Sequence, residues 1–352
     1  MAKRIAMVGS GALGGYIGGY LAQHGEDVTL IDFWPANIEA IRARGLELDG
    51  VTPEEKFTVT RAKTLHVTEV QHLAMERPVD IAFVSVKSYD TEWAAALIKP
   101  YLAPHGYVVS LQNCMNEEKI AGVVGWDRTL GVIASLISVD MYEAGRIRRT
   151  VAKGGDQHTV FRIGEVHGRI TQRVEELAAM FSRIDSTKAT ANLWGERWSK
   201  LTQNGMRNGV CAATGLTSAG CDRNPAIRRF MIQLGGEAVR VGQALGYQLE
   251  RMNGVEPDRL ARASEGDLEA LEVVEDVMLS RAEANPRADM QRPSMAQDML
   301  KGRRTEIRFM NGFIAEKGAV VGIATPAHDK LTEVVTRVER GELAASPATL
   351  GG

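Results

Sequence analysis

The run Gly9-Ser10-Gly11-Ala12-Leu13-Gly14 follows the apolar stretch Ile5-Ala6-Met7-Val8 and opens a helical pattern in which Leu13, Ile17 and Leu21 share one face. Glycines at this spacing serve phosphate binding. The first allows a tight turn, the second lets the backbone approach a pyrophosphate, and the third lets helix and strand pack closely, while the phosphates meet the unpaired N–H groups of the helix start. A second apolar run ends in Asp32, about twenty residues further on, where a carboxylate can accept both hydroxyls of an adenosine ribose. Asp32 is followed by Phe33-Trp34-Pro35, with no arginine to receive a 2′-phosphate, so NAD is expected over NADP. Gly9, Ser10, Gly11, Ala12, Leu13, Gly14 and Asp32 are the expected cofactor residues. Lys87 and Asn113 join them, because they follow the apolar runs 79–86 and 107–111 and ligands of open parallel sheets lie beyond the carboxyl ends of the strands.

A nicotinamide reduces a ketone only if a donor protonates the oxygen and polar groups hold the substrate on the correct face. Lys200, Asn204 and Asn208 are spaced i, i+4, i+8 and line one face of a helix. Asparagine is a poor helix former, so two on one stripe call for a reason. The spacing alone fits a substrate-binding stripe and a hydrophilic surface equally well. Further on, Ser294 with Gln297 has the form of a capping box, which would account for the serine, and Thr305-Glu306 has the form of a polar opening to a last helix.

The elements that must position these residues change character along the chain. From Arg4 to about Val132, short β-branched runs alternate with helical patterns, as in a parallel sheet with crossover helices. Strands are expected at 4–8, 27–31, 79–86, 107–111 and 129–134. The runs Ile81-Ala-Phe-Val and Tyr107-Val-Val lack alternation and belong in the sheet centre. Residues 137–165 suggest an antiparallel extension of that sheet, with Gly154 and Gly155 at the turn. A helix near 168–181 and a short strand at 186–190 follow. Residues 192–340 then have helical patterns throughout. Within them, Leu268, Leu271, Val274 and Met278 form a buried stripe between acidic residues of a solvated face, and that stripe is a candidate dimer contact. The tail after Gly341 is expected to fray. The overall expectation is an α/β protein: a Rossmann-like, doubly wound dinucleotide-binding domain over 1–190, an all-helical substrate and dimerisation domain over 191–343, and a tail over 344–352.

Composition narrows the partner. The 352 residues are 44% hydrophobic and 24% charged, with a formal net charge of −2, which offers no electrostatic attraction to nucleic acid or an anionic membrane. A small molecule is expected instead. Cys114, Cys211 and Cys221 are too few and too widely spaced for a zinc pattern, so no metal is expected, and an odd count fits a reducing compartment. The basic start Met1-Ala-Lys-Arg leads into a glycine-bearing helical pattern and not into a signal-peptide core. Together with the absence of any long apolar run, this leads to a cytoplasmic expectation.

The glycine motif, Val86-Lys87, Leu111-Gln112-Asn113, the Lys200/Asn204/Asn208 helix, and Arg292-Pro-Ser-Met with Arg304-Thr-Glu306-Ile occur in the order and approximate spacing of the ketopantoate reductase family, which the chain resembles over roughly residues 4 to 335. The resemblance implies an active site in a cleft between the two domains and reduction of 2-dehydropantoate to pantoate. Carried over by position, Lys200 is the general acid that protonates the carbonyl oxygen, and Glu306 holds the hydroxyl and orients the lysine. Asn204, Asn208 and Ser294 bind polar groups of the substrate, while Lys87 and Asn113 lie near nicotinamide and substrate. Helical second domains of this kind commonly dimerise. The chain departs from the family pattern at Cys114, where the family has the glycine of a Gln-Asn-Gly turn, and at Gly209, where the family often has proline. It also carries extra acidic helical material around 255–290. These departures keep one alternative in view, an NAD-dependent dehydrogenase of the same type acting on another 2-hydroxy or 2-oxo acid; from a different class, an NAD-binding sensor is the second alternative. The sensor has no use for a proton donor.

Overall fold

The computed structural model describes residues 2–284, 289–290 and 292–351. The chain divides between Leu193 and Trp194 into two compact units. Strands of the first unit are β1 (Arg4–Val8), β2 (Asp27–Asp32), β3 (Leu46–Asp49), β4 (Phe57–Val59), β5 (Lys63–His66), β6 (Val79–Val84), β7 (Leu102–Ser110), β8 (Thr129–Ala134), β9 (Val139–Glu143), β10 (Arg146–Arg149), β11 (Phe161–Glu165) and β12 (Thr187–Ala189). Helices α1 (Ala12–Gln23), α2 (Pro35–Arg44), α3 (Thr91–Ile98), α4 (Glu117–Val124) and α5 (Gln172–Ser182) connect them.

Eight strands form the main sheet in the order β12-β11-β8-β7-β6-β1-β2-β5. β1 pairs in parallel with both β2 and β6, so the order reverses at β1 and a crevice opens at the carboxyl ends of β1 and β6. Every residue of β1 and β8 is buried, as expected of strands covered on both faces. One apolar cluster covers one face around Ile5, Met7, Ile81 and Phe83; a second covers the other around Ala6, Val8, Ala82 and Val84. The alternation of strand side chains produces this division.

The antiparallel extension expected over 137–165 is half present. β11 does run antiparallel to β8 and extends the main sheet. β10 does not pair with it: it joins a separate four-stranded sheet, β4-β3-β10-β9, parallel to β3 and antiparallel to β9. The turn glycine of that hairpin is Gly145, at φ 71°, and Gly154 and Gly155 belong to the connection onward to β11. Helix α1 explains why the second sheet sits where it does. A Cβ on Gly18 would lie 2.7 Å from Leu30 of β2, while one on Gly15 would lie 2.5 Å from Ile147 of β10 and one on Gly19 3.0 Å from Leu46 of β3. The glycines that weaken α1 by propensity let it lie against the main sheet on one side and the small sheet on the other.

The second unit is helical: α6 (Leu193–Thr214), α7 (Ser218–Arg223), α8 (Pro225–Ala244), α9 (Pro257–Ser264), α10 (Leu268–Ala284), α11 (Ser294–Leu300), α12 (Ile307–Val321) and α13 (Pro326–Glu339). The buried stripe of α10 is Ala270, Val274, Met278 and Ala282. Leu268, expected within it, starts the helix and is 78% exposed, and Leu271 is only half-buried. Because α10 packs on α7 and α9, its apolar stripe is used inside the unit. Residues 285–288 of the acidic stretch lie outside the described residues. The tail expected to fray is docked instead. The Ser346 N–H donates to the Ala213 carbonyl at 3.0 Å, residues Pro347–Leu350 form a single 3-10 turn, and Leu350 is buried. An apolar side chain with a pocket to fill offsets the ordering cost of a short tail.

Candidate active site

The glycine loop leaves β1 at the strand-order reversal. Gly9 has φ 96°, and a Cβ there would lie 2.8 Å from the backbone at Ser85 and Val86, just past the end of β6. A Cβ on Gly14 would strike the Gly9 carbonyl and Ser85. Gly11 differs: nothing lies within 4 Å of its Cβ direction. Packing therefore requires the first and third glycines, whereas the second faces open space of the kind a bound pyrophosphate needs. Helix α1 begins at Ala12 and Leu13 with no side-chain cap and no acidic residue in its first turn, so its N-terminal amides suit an anion.

Asp32 ends β2 as expected, but it is buried and already engaged. Its Oδ2 accepts the Ser10 hydroxyl at 2.9 Å and the Asn37 amide at 3.1 Å, and its Oδ1 accepts the Trp34 N–H at 3.0 Å. A carboxylate offers about four acceptor positions. Three are filled by these protein donors, and the fourth, on Oδ1, is open to a ribose hydroxyl.

Lys87 follows β6 and precedes the short turn Ser88–Asp90; Asn113 follows β7; both are half-buried. Their loops are tied together. Gln112 Nε2 donates to the Val86 carbonyl at 2.8 Å and to Thr91 Oγ1 at 2.9 Å, and Asn116 Nδ2 donates to the Asn113 carbonyl and to Ser88 Oγ. The next residue, Cys114, has φ 65°, a left-handed conformation that favours the glycine of the family turn. Cysteine occupies it here at a steric cost of about 1 kcal/mol.

In the second unit, α6 carries Lys200 and Asn204, both half-buried, and Asn208, buried. Successive members rise about 6 Å along the axis. The C-terminal half of this helix gathers the remaining candidates. A Cβ on Gly209 would lie 3.0 Å from Ile307 and from Leu331, so α12 begins against the residue after Asn208, with Glu306 as its N-cap. A larger residue at 209 would press on the terminal methyls of Ile307 and Leu331. Glu306 is held by its neighbour: Thr305 donates both its N–H (3.1 Å) and its hydroxyl (2.5 Å) to Glu339 of α13. Contrary to expectation, α12 is followed by a further helix. Arg292, two residues before Ser294, is anchored near this end, its Nη1 donating to the carbonyl of Gly215, just past α6. The expected capping box does not form: Pro293 is the N-cap of α11, no side chain caps it, and Gln297 Nε2 donates to the Arg292 carbonyl.

Behind α6 lies a buried polar chain that the sequence does not announce. Asn311 Nδ2 donates to the Gly205 carbonyl (2.9 Å) and to His328 Nδ1 (3.1 Å), and His328 Nε2 donates to the Leu234 carbonyl (2.9 Å). Both side chains are fully buried, and burial pushes the His328 pKa down to about 4. Glu237 accepts the N–H groups of Ala327 and His328 at the start of α13, and its own desolvation raises its pKa. Asn37 and this asparagine–histidine pair are the polar residues that sequence reasoning missed. The one signal for Asn37 was a polar side chain in the first turn after Pro35, close to Asp32.

A parallel sheet with a glycine loop at its strand-order reversal, followed by a helical unit carrying a Lys–Asn–Asn stripe, defines a nicotinamide-dependent oxidoreductase of two-part construction. The chain belongs to the ketopantoate reductase family: residues 5–162 match ketopantoate reductase PanE/ApbA and residues 192–339 match its C-terminal part. It is 30% identical to the 2-dehydropantoate 2-reductase of Pyrococcus horikoshii over 339 residues (96% of this chain, 97% of the relative). It is 27% identical to that of Archaeoglobus fulgidus over 345 residues (96% and 99%). A PanE/ApbA family ketopantoate reductase from Ralstonia eutropha superposes with a TM-score of 0.77 at 26% identity (96% and 99%). D-mandelate dehydrogenase with NADH and anilino(oxo)acetate shares the fold at 22% identity, with a TM-score of 0.76 (96% and 98%). Among the described residues, no helix is long and apolar enough to cross a membrane.

Proposed function

We propose that the protein reduces a 2-oxo acid, 2-dehydropantoate in the first instance, to the corresponding 2-hydroxy acid, pantoate, and uses NAD(H). Bound nicotinamide supplies the hydride. Lys200 donates the proton to the carbonyl oxygen, and Glu306 accepts a hydrogen bond from the substrate hydroxyl and orients the lysine. Asn204, Asn208 and Ser294 hold the remaining polar groups of the substrate; Lys87 and Asn113 lie beside nicotinamide and substrate. The observation that supports this reading is the helix α6, where the Lys200/Asn204/Asn208 stripe lies on one element and Gly209 packs against Ile307, the residue after Glu306.

The NAD preference rests on Asp32, whose carboxylate repels a 2′-phosphate. It also favours a second reading, a dehydrogenase of the same family acting on another 2-hydroxy acid, for which NAD suits oxidation. The sensor reading lacks such support, because Lys200 and Glu306 have no role in it. A homodimer and a cytoplasmic location belong to the same proposal, and light scattering checks the former. NADH oxidation with 2-dehydropantoate, set against a panel of 2-oxo acids, tests the assignment. Fastest turnover of 2-dehydropantoate is expected. Faster turnover of another acid replaces the substrate, and turnover of none returns the sensor.

A further inference from the structure

Asn37 is fully buried in the first turn of α2, and every polar atom of its side chain is engaged. One amide hydrogen goes to Asp32 Oδ2 (3.1 Å) and the other to the Ser10 carbonyl in the glycine loop (3.2 Å), while Oδ1 accepts the Gly145 N–H (2.9 Å) at the β9–β10 turn. The Gly145 carbonyl in turn accepts the Glu47 N–H of β3, so the small sheet buttresses the whole arrangement. One side chain thus joins the phosphate loop, the acidic strand end and the second sheet.

We propose that Asn37 is the positioning residue for cofactor discrimination, which deepens the NAD reading above and rests on it. With Ser10 it fills both acceptor positions of Asp32 Oδ2, and the Trp34 N–H fills one of Oδ1. The carboxylate is held in one orientation and presents a single free acceptor position to the ribose. The ligand class is therefore an adenosine ribose with a free hydroxyl, bound through one charge-assisted hydrogen bond whose direction Asn37 sets. Removing the Asn37 amide frees the carboxylate to turn and loosens the glycine loop from the strand end.

Fluorescence titration of NADH and NADPH with wild type, Asn37→Ala, Asp32→Ala and the double variant tests this. Wild type is expected to bind NADH more tightly; if it binds NADPH more tightly, the NAD reading fails, and the NADH arm of the cycle still judges Asn37. Asn37→Ala is expected to weaken NADH about tenfold and NADPH by less than about threefold, and to have no further effect on NADH once Asp32 is alanine. Equal losses for both cofactors, or the same tenfold loss in the Asp32→Ala background, would show a merely structural role and overturn the proposal. If Asn37→Ala does not fold, Ser10→Ala removes the other donor to the same oxygen. A loss of NADH affinity that vanishes in the Asp32→Ala background supports the orientation argument, and one that persists there rejects it.

Discussion

The glycine-loop end of the first unit and the Lys200 face of the second are built on different principles. In the first, the candidate residues follow strand ends that hydrogen bonding already brings together, and neighbours are held by short-range bonds: Ser10 and Asn37 to Asp32, Gln112 to Val86, Asn116 to Asn113. In the second, one long helix supplies the row, and the other candidates arrive from residues about a hundred positions away, set by how α11 and α12 seat against it. A strand-end site inherits its geometry from the sheet ladder. A helix-face site depends on a few long-range contacts, and its supports are correspondingly more sensitive.

The largest expected effect separates the two regions by function. Lys200→Ala should lower turnover about a thousandfold, the scale of losing a general acid, while NADH affinity stays within about twofold. Stopped-flow kinetics beside a binding titration check this; retained turnover would remove the second unit's chemical role. Next, Gly14→Ala should cost the first unit about 3 kcal/mol in denaturant unfolding, because the new methyl meets the rigid Gly9 carbonyl and the Ser85 side chain.

A third effect belongs to the second unit. His328 has a pKa depressed to about 4 by burial, so its contribution to stability is fully present above its ordinary value of 6.5 and is lost as pH falls toward 4. Protonation would also place a second donor against Asn311. The loss should reach about 3 kcal/mol, read by denaturant unfolding across that window, and His328→Gln should flatten the profile relative to wild type. The smallest effect is at Cys114. Cys114→Gly should change stability by less than about 1 kcal/mol, relieved strain offsetting lost burial, whereas Cys114→Val should cost about 2 kcal/mol because a β-branched residue tolerates φ 65° poorly.

Much of this architecture could be read from local pattern. β1 and β8 fall on their expected residues and β2 runs one residue further, because continuous apolar runs bounded by turn residues leave little choice of register. β3, β4 and β5 escaped notice: each has only three or four residues, too few for alternation to stand out. The second sheet was missed for the same reason, since β10 pairs with β3 about a hundred residues earlier. Leu268 is misplaced because helical spacing gives a stripe without saying where the neighbour ends, and the tail because two of its partners, the Ala213 carbonyl of α6 and helix α8, lie more than a hundred residues before it.

Local chemistry was enough to specify the glycine turn, the acidic strand end and the Lys200–Asn204–Asn208 face, since each depends on residue type and on the fixed periods of strand and helix. How many acceptor positions Asp32 keeps, what holds it, and what Gly209 packs against were settled by folding alone. Those properties are sums over partners distant in sequence, Asn37 with Gly145, Gly209 with Ile307 and Leu331, and no spacing within a single segment encodes them.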